Sequence, residues 1–492
     1  MVFLLAACGK SITEADILYY RLNSDVATLD PAFITDVNNA AIAAKLYQGL
    51  VSLDNALKIA PDLAERWEIL EGGRLYRFYI NSKRTFCNGR DVTAQDVKYS
   101  YERLLDPKTV SPNRWVLERV KSIKAVNSYI VDIRLKEPFA PFLAMLTMPA
   151  AYVVPREVVE KWAKGFAFRP CGTGAYVLDS WLPSREIRLR RREYPDNQSG
   201  ISRGIVYRII PEDLTAISEF ELGNLDVIGL PGSAYVRFKR DPKWRDLIVE
   251  SPSLNTYYLG MNTERPPFNN KDLRRAVALA IDRAKILDTF MDKRGRLADG
   301  IVPHPLRRWP INETIRYDPA ESKRIIDNLG LRGHRVLMLI TADQEVIDLA
   351  EIIQHYLKKV GIEVVLKAME WSAFKEAINK GEADIFWLSW WADYPEAENF
   401  LYPLFHSSNK GIGGNRTRYS DPRVDTLLDK ARATNDSAVS LYRQVEQIVL
   451  DDLPLIPFWH RADYILRQPW IEGLQPYPIY SMDRGLGLRK LK

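Results

Sequence analysis

Residues 336–388 read VLMLITADQEVIDLAEIIQHYLKKVGIEVVLKAMEWSAFKEAINKGEADIFWL, and this stretch decides the fold class. The apolar run at 336–340 is too brief for a helix and is predicted as a buried strand. Residues 345–360 follow as a helix, 363–366 as a second strand, and 385–388 as a third after another helical stretch. Strands separated by helices of this length pack as an α/β layer, with helices on the faces of the sheet.

Working outward, Leu273, Val277, Ala280, Ile281, Ala284 and Leu287 share one helical face and predict a single helix from 273 to about 291. Tyr76, Phe78 and Ile80 alternate with polar or amphipathic neighbours, the period-two mark of a half-buried strand. Strands are also expected at 17–22 and 50–53, within 172–210 and near 254–261. A helix is expected at 40–50, and another starts with Thr93 as its N-cap and carries Tyr99 and Leu104 on one face. No repeat or low-complexity linker interrupts the chain, so its domains must meet at hinges inside a compact body.

At 492 residues the chain is too long for one ordinary core, and 46% hydrophobic with 27% charged residues is a globular composition. The net charge of +6 is diluted by 63 acidic residues. The densest basic run, Arg188 with Arg190 to Arg192, partly alternates with Ile187 and Leu189 as a strand with one wet face would, which argues against a nucleic-acid patch. Away from the N-terminus no run approaches the roughly 18 apolar residues that span a bilayer. Leu5-Ala6-Ala7-Cys8 resembles the bacterial lipobox, in which the cysteine thiol takes a diacylglyceryl group. Seven residues precede Cys8 and none is Lys or Arg, a departure from the usual basic start. The expectation is a lipid anchor at Cys8, since several acyl chains hold a protein on a membrane.

Signatures of catalysis are missing. There is no Gly-x-Ser-x-Gly, no His-Glu-x-x-His and no Gly-x4-Gly-Lys-Ser/Thr, and the five histidines (His304, His334, His355, His406, His460) never fall at ligand spacing. Gly411-Ile412-Gly413-Gly414 lacks the flanking strand and helix of a phosphate cradle. The expectation is therefore no enzyme, no cofactor and no metal.

The most unusual segment is 383–395, where Ile385-Phe386-Trp387-Leu388-Ser389-Trp390-Trp391 leads into Ala392-Asp393-Tyr394-Pro395. It reads either as a core strand whose Asp caps a turn, or as an aromatic cleft wall with Asp393 facing a cation. A carboxylate beside dry aromatic surface is costly unless paired, and a ligand ammonium would bring charge and up to three donors.

Several blocks carry a family resemblance. Ala64-Glu65-Arg66-Trp67-Glu68, 75–80 and 86–97 are similar to the signature region of the oligopeptide- and dipeptide-binding proteins. So are Gly172-Thr173-Gly174-Ala175-Tyr176, Asn262 with Pro266-Pro267-Phe268-Asn269-Asn270 and 273–283, and Leu453-Pro454-Leu455-Ile456-Pro457-Phe458. They occur in family order from about residue 17 to the end, so the chain resembles the bacterial extracellular solute-binding proteins of family 5, the peptide- and nickel-binding receptors of ABC importers.

The resemblance implies a two-lobed periplasmic-binding-protein-like α/β fold (class II, cluster C type) with an inserted α+β domain and a hinged ligand cleft. Carried over, 1–16 is a lipoprotein signal remnant and tether, 17–55 with 170–258 and 476–492 is lobe I, 56–169 the inserted domain and 259–475 lobe II. It also implies Asp393 as the anchor of a peptide ammonium, Ser389 to Trp391 as a backbone rail, Trp390 as a pocket wall and Tyr394 beside them. Thr35, Asp36 and Val37 would face the ligand from lobe I, with Asn262 and Tyr480 as further contacts. Cys87 and Cys171 depart from the resemblance, standing where the family often has other residues and each next to a Gly turn; the expectation is a disulfide between insertion and lobe I in an oxidising envelope. The implied partners are a peptide ligand and an ABC permease with its cytoplasmic ATPase. The protein would be a monomer, lipid-anchored in the periplasm or on the outer face of the cytoplasmic membrane. Nickel chelate, haem, oligosaccharide or cell-wall peptide are the alternative solutes, and a sensor or an envelope hydrolase the alternatives of another class.

Overall fold

The computed structural model describes residues 16–192, 202–311, 315–434, 438–477, 479, 484–485 and 487–491. Two large sheets organise it. The first has seven strands in the order Ile248–Pro252, Ala462–Arg467, Val227–Gly229, Ile17–Leu22, Gly204–Ile209, Glu186–Arg191 and Tyr176–Leu182. The second has six, ordered Arg296–Leu297, Leu455–His460, Asn255–Met261, Ile385–Trp391, His334–Thr341 and Ile362–Met369.

The deciding stretch folds as expected. His334–Thr341 and Ile362–Met369 pair in parallel, joined by the helix Gln344–Val360. That helix starts where the Asp343 side chain accepts from the Val346 amide and stops at Gly361, whose φ of 102° lies in the left-handed region. Leu349, Ile353, Leu357 and Val360 are its buried stripe, and sealing each large aliphatic contributes about 1.5–3 kcal/mol. Glu186–Arg191 is the wet-faced strand foreseen, with Ile187 and Leu189 buried and the Arg188 guanidinium 2.7 Å from Glu186.

One helix differs. The expected 273–291 helix is two, Lys271–Ala280 and Arg283–Thr289, because Ile281 is extended and the Asp282 carboxylate caps the second piece through the Lys285 amide. The break turns the apolar stripe, so Ile286 and Leu287 are buried while Ala284 is exposed.

A four-stranded antiparallel sheet, Ala64–Leu70, Leu75–Ile80, Ile130–Leu135 and Val120–Asn127, packs with the helix Ala94–Leu105 as the α+β insertion. Asp96 accepts from the Thr93 amide at 2.9 Å and fixes that helix start. The insertion shares one continuous apolar core with the first sheet, running from Leu18 and Tyr207 to Phe78 and Ile133. A disulfide joins Cys87 of the insertion to Cys171 where the chain returns, with Cα atoms 5.3 Å apart.

The chain crosses between the large sheets twice, from Ile248–Pro252 to Asn255–Met261 and from Leu455–His460 to Ala462–Arg467. These crossings correct the expected boundaries. Asn255–Met261 is in the second sheet although lobe I was drawn to 258, and Ala462–Arg467 is in the first although lobe II was drawn to 475. Both strands are apolar along most of their length, so composition there does not reveal which sheet they complete. Asn255 fastens the crossings, its Oδ1 accepting from the Arg461 amide at 2.8 Å and its Nδ2 donating to the Arg461 carbonyl at 3.1 Å.

Candidate functional site: the cleft between the sheets

Ile385–Trp391 is paired along its whole length on one side, from Met261↔Ile385 to Asn255↔Trp391. On the other side it meets His334–Thr341 only at Met338↔Ile385 and Leu339↔Phe386. Among the described residues, the edge from Trp387 to Trp391 on that side therefore carries no strand. Such an edge offers main-chain donors and acceptors to an extended partner.

A cavity of about 480 Å³ opens at its Trp391 end, between the two sheets. Asn23, Val37, Gly232 and Tyr235 line it from the first lobe, Arg294, Trp391 and Ala392 from the second, and Leu254 and Arg461 to Tyr464 from the crossings. A second cavity of about 550 Å³ lies where His334–Thr341 and Ile362–Met369 end, walled by Tyr257, Trp371, Trp387 and Trp459. Arg461 lines both. Carboxyl ends of parallel strands are where open α/β sheets receive ligands.

Alternation along the strand sorts the expected residues. Trp391 is 43% exposed, stands edge-on to Tyr257 at 6.4 Å and donates from Nε1 to Ser389 Oγ at 3.1 Å. Trp390 points the other way, donating from Nε1 to the Asn399 carbonyl at 2.7 Å and packing on the second lobe's core. The pocket wall is thus Trp391, not Trp390, because a strand sends successive side chains to opposite faces.

Asp393 is half-buried, directly past the cavity-lining Trp391 and Ala392, and its amide donates to Asn399 Oδ1 at 2.9 Å. Tyr394 is a correction: it is buried in the first lobe's core beside the Trp115 ring of the insertion, with its hydroxyl donating to Glu398. Asn262 is another, since it is 3% exposed and bonds the carbonyls of Gly381 and Ala383 and the amide of Glu264, which makes it a brace for turns of the second lobe. Thr35 is exposed, Asp36 caps the helix Val37–Leu46 through the Asn39 amide, and Val37, 49% exposed, lines the cavity. Tyr480 and Cys8 lie outside the described residues.

Behind Asp393 lies a set of acids that sequence reading passed over. Glu398 is buried and paired with Arg432 at 2.9 Å, and burial raises its carboxyl above the usual range while Arg432 pulls the other way. Burial pushes Glu396 up to about 7 despite Arg308 nearby. Arg432 lies over the rings of Tyr402 at 3.5 Å and Phe139 at 5.0 Å, and its carbonyl accepts from the Ala140 amide, so the insertion touches the second lobe here. The spacing Asp393, Glu396, Glu398 was the available signal. Arg294 and Arg461 were missed as well, because nothing local marks two isolated arginines as neighbours.

Among the described residues no group of three His, Cys, Asp or Glu is placed to hold a metal ion, and no helix is long and apolar enough to cross a membrane.

Comparison with known proteins gives the family and the fold. The family model "Bacterial extracellular solute-binding proteins, family 5 Middle" matches residues 58–412. The probable deoxycholate-binding periplasmic protein YgiS of Escherichia coli K12 is 28% identical, covering 96% of this chain and 92% of that one. The periplasmic oligopeptide-binding protein OppA of the same strain is 26% identical over 94% of this chain and 91% of its own. Among solved structures, HbpA2 of Haemophilus parasuis superposes with a TM-score of 0.88 at 25% identity over 97% of this chain and all of that one. The binding protein DppA of Helicobacter pylori in complex with the peptide STSA gives 0.80 at 23% identity, over 97% of this chain and 98% of the other.

Proposed function

Because this chain belongs to the bacterial extracellular solute-binding proteins of family 5, we propose that it captures peptides with a free amino terminus between its two lobes and delivers them to an ABC permease. The observation that carries this reading is the open edge from Trp387 to Trp391, with Trp387 lining one cavity, Trp391 the other, and Asp393 two residues further on. Main-chain pairing along that edge is indifferent to side-chain identity, and the carboxylate of Asp393 takes the peptide ammonium in a charge-assisted bond. Trp391 and Val37 line the cavity from the two lobes, and Thr35 and Asp36 directly precede Val37 in the chain. Closure occurs about the crossings at 252–255 and 460–462 and shuts water from the amine. The receptor acts as a monomer outside the cytoplasmic membrane, held there by acyl chains on Cys8, and hands its ligand to transmembrane subunits driven by a cytoplasmic ATPase.

Calorimetry with di- to pentapeptides, each with a free or an acetylated amino terminus, tests it. Free-amine peptides bind, acetylated ones do not, and Asp393→Asn weakens the former by about 3–5 kcal/mol, roughly 10² to 10³ or more in affinity. Equal affinity of wild type and variant rejects the assignment.

A further inference from the structure

The disulfide between the insertion and the first lobe stands in a cavity of its own. About 770 Å³ in volume, it is lined by Cys87 and Cys171 with the rings of Trp162, Phe168 and Trp181, and it shares no lining residue with the two cleft cavities. Phe168 is 55% exposed, and its ring centroid lies 5.1 Å from that of Trp181. The two cysteines are unequal, Cys87 being exposed and Cys171 buried.

Opening the bond need not unfold the chain, because the segments it joins are also held by other means. The Cys87 amide donates to the Gly172 carbonyl at 2.9 Å, and Arg192 donates to the carbonyls of Thr85 at 3.0 Å and Phe86 at 2.8 Å. Phe86 itself is buried in the core that insertion and first lobe share.

Charge and main chain select the reagent. Arg169 lines the cavity with its guanidinium 3.9 Å from the Trp162 ring centroid, and the Lys161 ammonium stands 5.0 Å from the same ring. Positive charge there attracts an attacking thiolate and stabilises the one that leaves. Leu178 to Trp181 belong to Tyr176–Leu182, the outermost strand of the first sheet. Main-chain donors and acceptors for an extended segment therefore adjoin the bond. Aromatic surface, cationic rim and strand edge together fit a polypeptide thiol better than a small one.

We propose that this cavity docks a protein dithiol that reduces Cys87–Cys171 in the folded receptor. A partner thiolate attacks Sγ of the exposed Cys87, the bond to Cys171 breaks, and Cys171 leaves as a thiolate that takes up a proton. The partner's second thiolate then displaces Cys87 from the mixed disulfide, and Cys87 takes up the other proton. The partner departs oxidised, with its own disulfide, and the receptor carries two thiols. The covalent tie between insertion and first lobe is released while the shared core keeps both folded. Nothing in this step depends on what the cleft binds.

The test incubates the oxidised full chain with reduced thioredoxin as the protein dithiol and, separately, with dithiothreitol. Free thiols at Cys87 and Cys171 are followed by alkylation and mass spectrometry. Both reagents open the bond at rates that do not change with urea below the unfolding transition. Phe168→Ser slows thioredoxin about tenfold and leaves dithiothreitol as it was. Thioredoxin with its second cysteine replaced by serine is trapped on Cys87. Rates that rise with urea in step with global unfolding overturn the proposal, as does trapping on Cys171. So does a Phe168→Ser chain that treats the two reagents alike. If Phe168→Ser does not melt cooperatively, Trp162→Ser takes its place.

Discussion

Two charged groups border the cleft, and they are built in opposite ways. The acidic one, Asp393 with Glu396 and Glu398, comes from six consecutive residues after one strand. The basic one is assembled from Gly232, Arg294 and Arg461, three segments far apart in the chain that meet only because the two sheets face each other. The first is held by a buried ion pair and by the insertion, the second by the crossings at Asn255 and Arg461. A group carried on one segment keeps its shape when the lobes part, whereas one shared between lobes exists only while they touch.

The largest expected effect probes the rigid side. Glu398→Gln keeps the shape and a partner for Tyr394 but leaves the partly buried Arg432 cation beside a neutral amide. Breaking a buried pair costs about 3–5 kcal/mol. The rings of Tyr402 and Phe139 on Arg432 recover part of it, so about 3 kcal/mol is expected in urea unfolding. A loss under about 0.5 kcal/mol, the size of an ordinary surface substitution, would mean that the acidic loop is not held by this pair and that the contrast between the two groups is void.

A smaller effect probes the shared side. Asn255 is fully buried and satisfies both the amide and the carbonyl of Arg461. Asn255→Ala leaves both bare, a cost of about 1–3 kcal/mol per group before water or relaxation repairs it. The loss of stability should be about 2 kcal/mol and should come with weaker ligand binding, because Arg461 sits on the crossing. Lost stability with unchanged affinity would show that positioning of Arg461 does not depend on the hinge.

What the sequence made legible follows the same division. The alternation of strands and helices over 336–388 is a local pattern, and it specified the parallel core of the second sheet. The segment 389–393 stood out as a candidate for the same reason, since aromatic residues, a small residue and an acid at the end of a strand are unusual together. Which indole faces the cleft was not legible, because the phase of an alternation needs a fixed point, and the run Trp387, Trp390, Trp391 offers apolar residues on both faces. Asn262 and Tyr394 were misread because a buried side chain that braces turns has the same composition around it as one that meets a ligand. The lobe boundaries at 252–255 and 460–462 escaped because a hinge in this fold is a strand that continues into another sheet, with no change in residue type to mark it.

The smallest effect decides how much negative charge the acidic loop carries near neutrality. Burial lifts the Glu396 carboxyl in the folded chain to about 7, against an ordinary value of 4.5. Between those values the folded state holds a proton that the unfolded state has released, so stability falls as pH rises through this window. The gap corresponds to at most about 3 kcal/mol, and partial solvent access reduces it to about 1–2 kcal/mol. Glu396→Gln removes the ionisation altogether. It should match wild type at pH 5 and exceed it at pH 8 by that amount in urea unfolding at the two pH values. A difference independent of pH would assign the effect to packing, with Glu396 charged at both. The loop would then present two carboxylates instead of one to an incoming amine, and the contrast with the arginines across the cleft would be sharper than one acid against two bases.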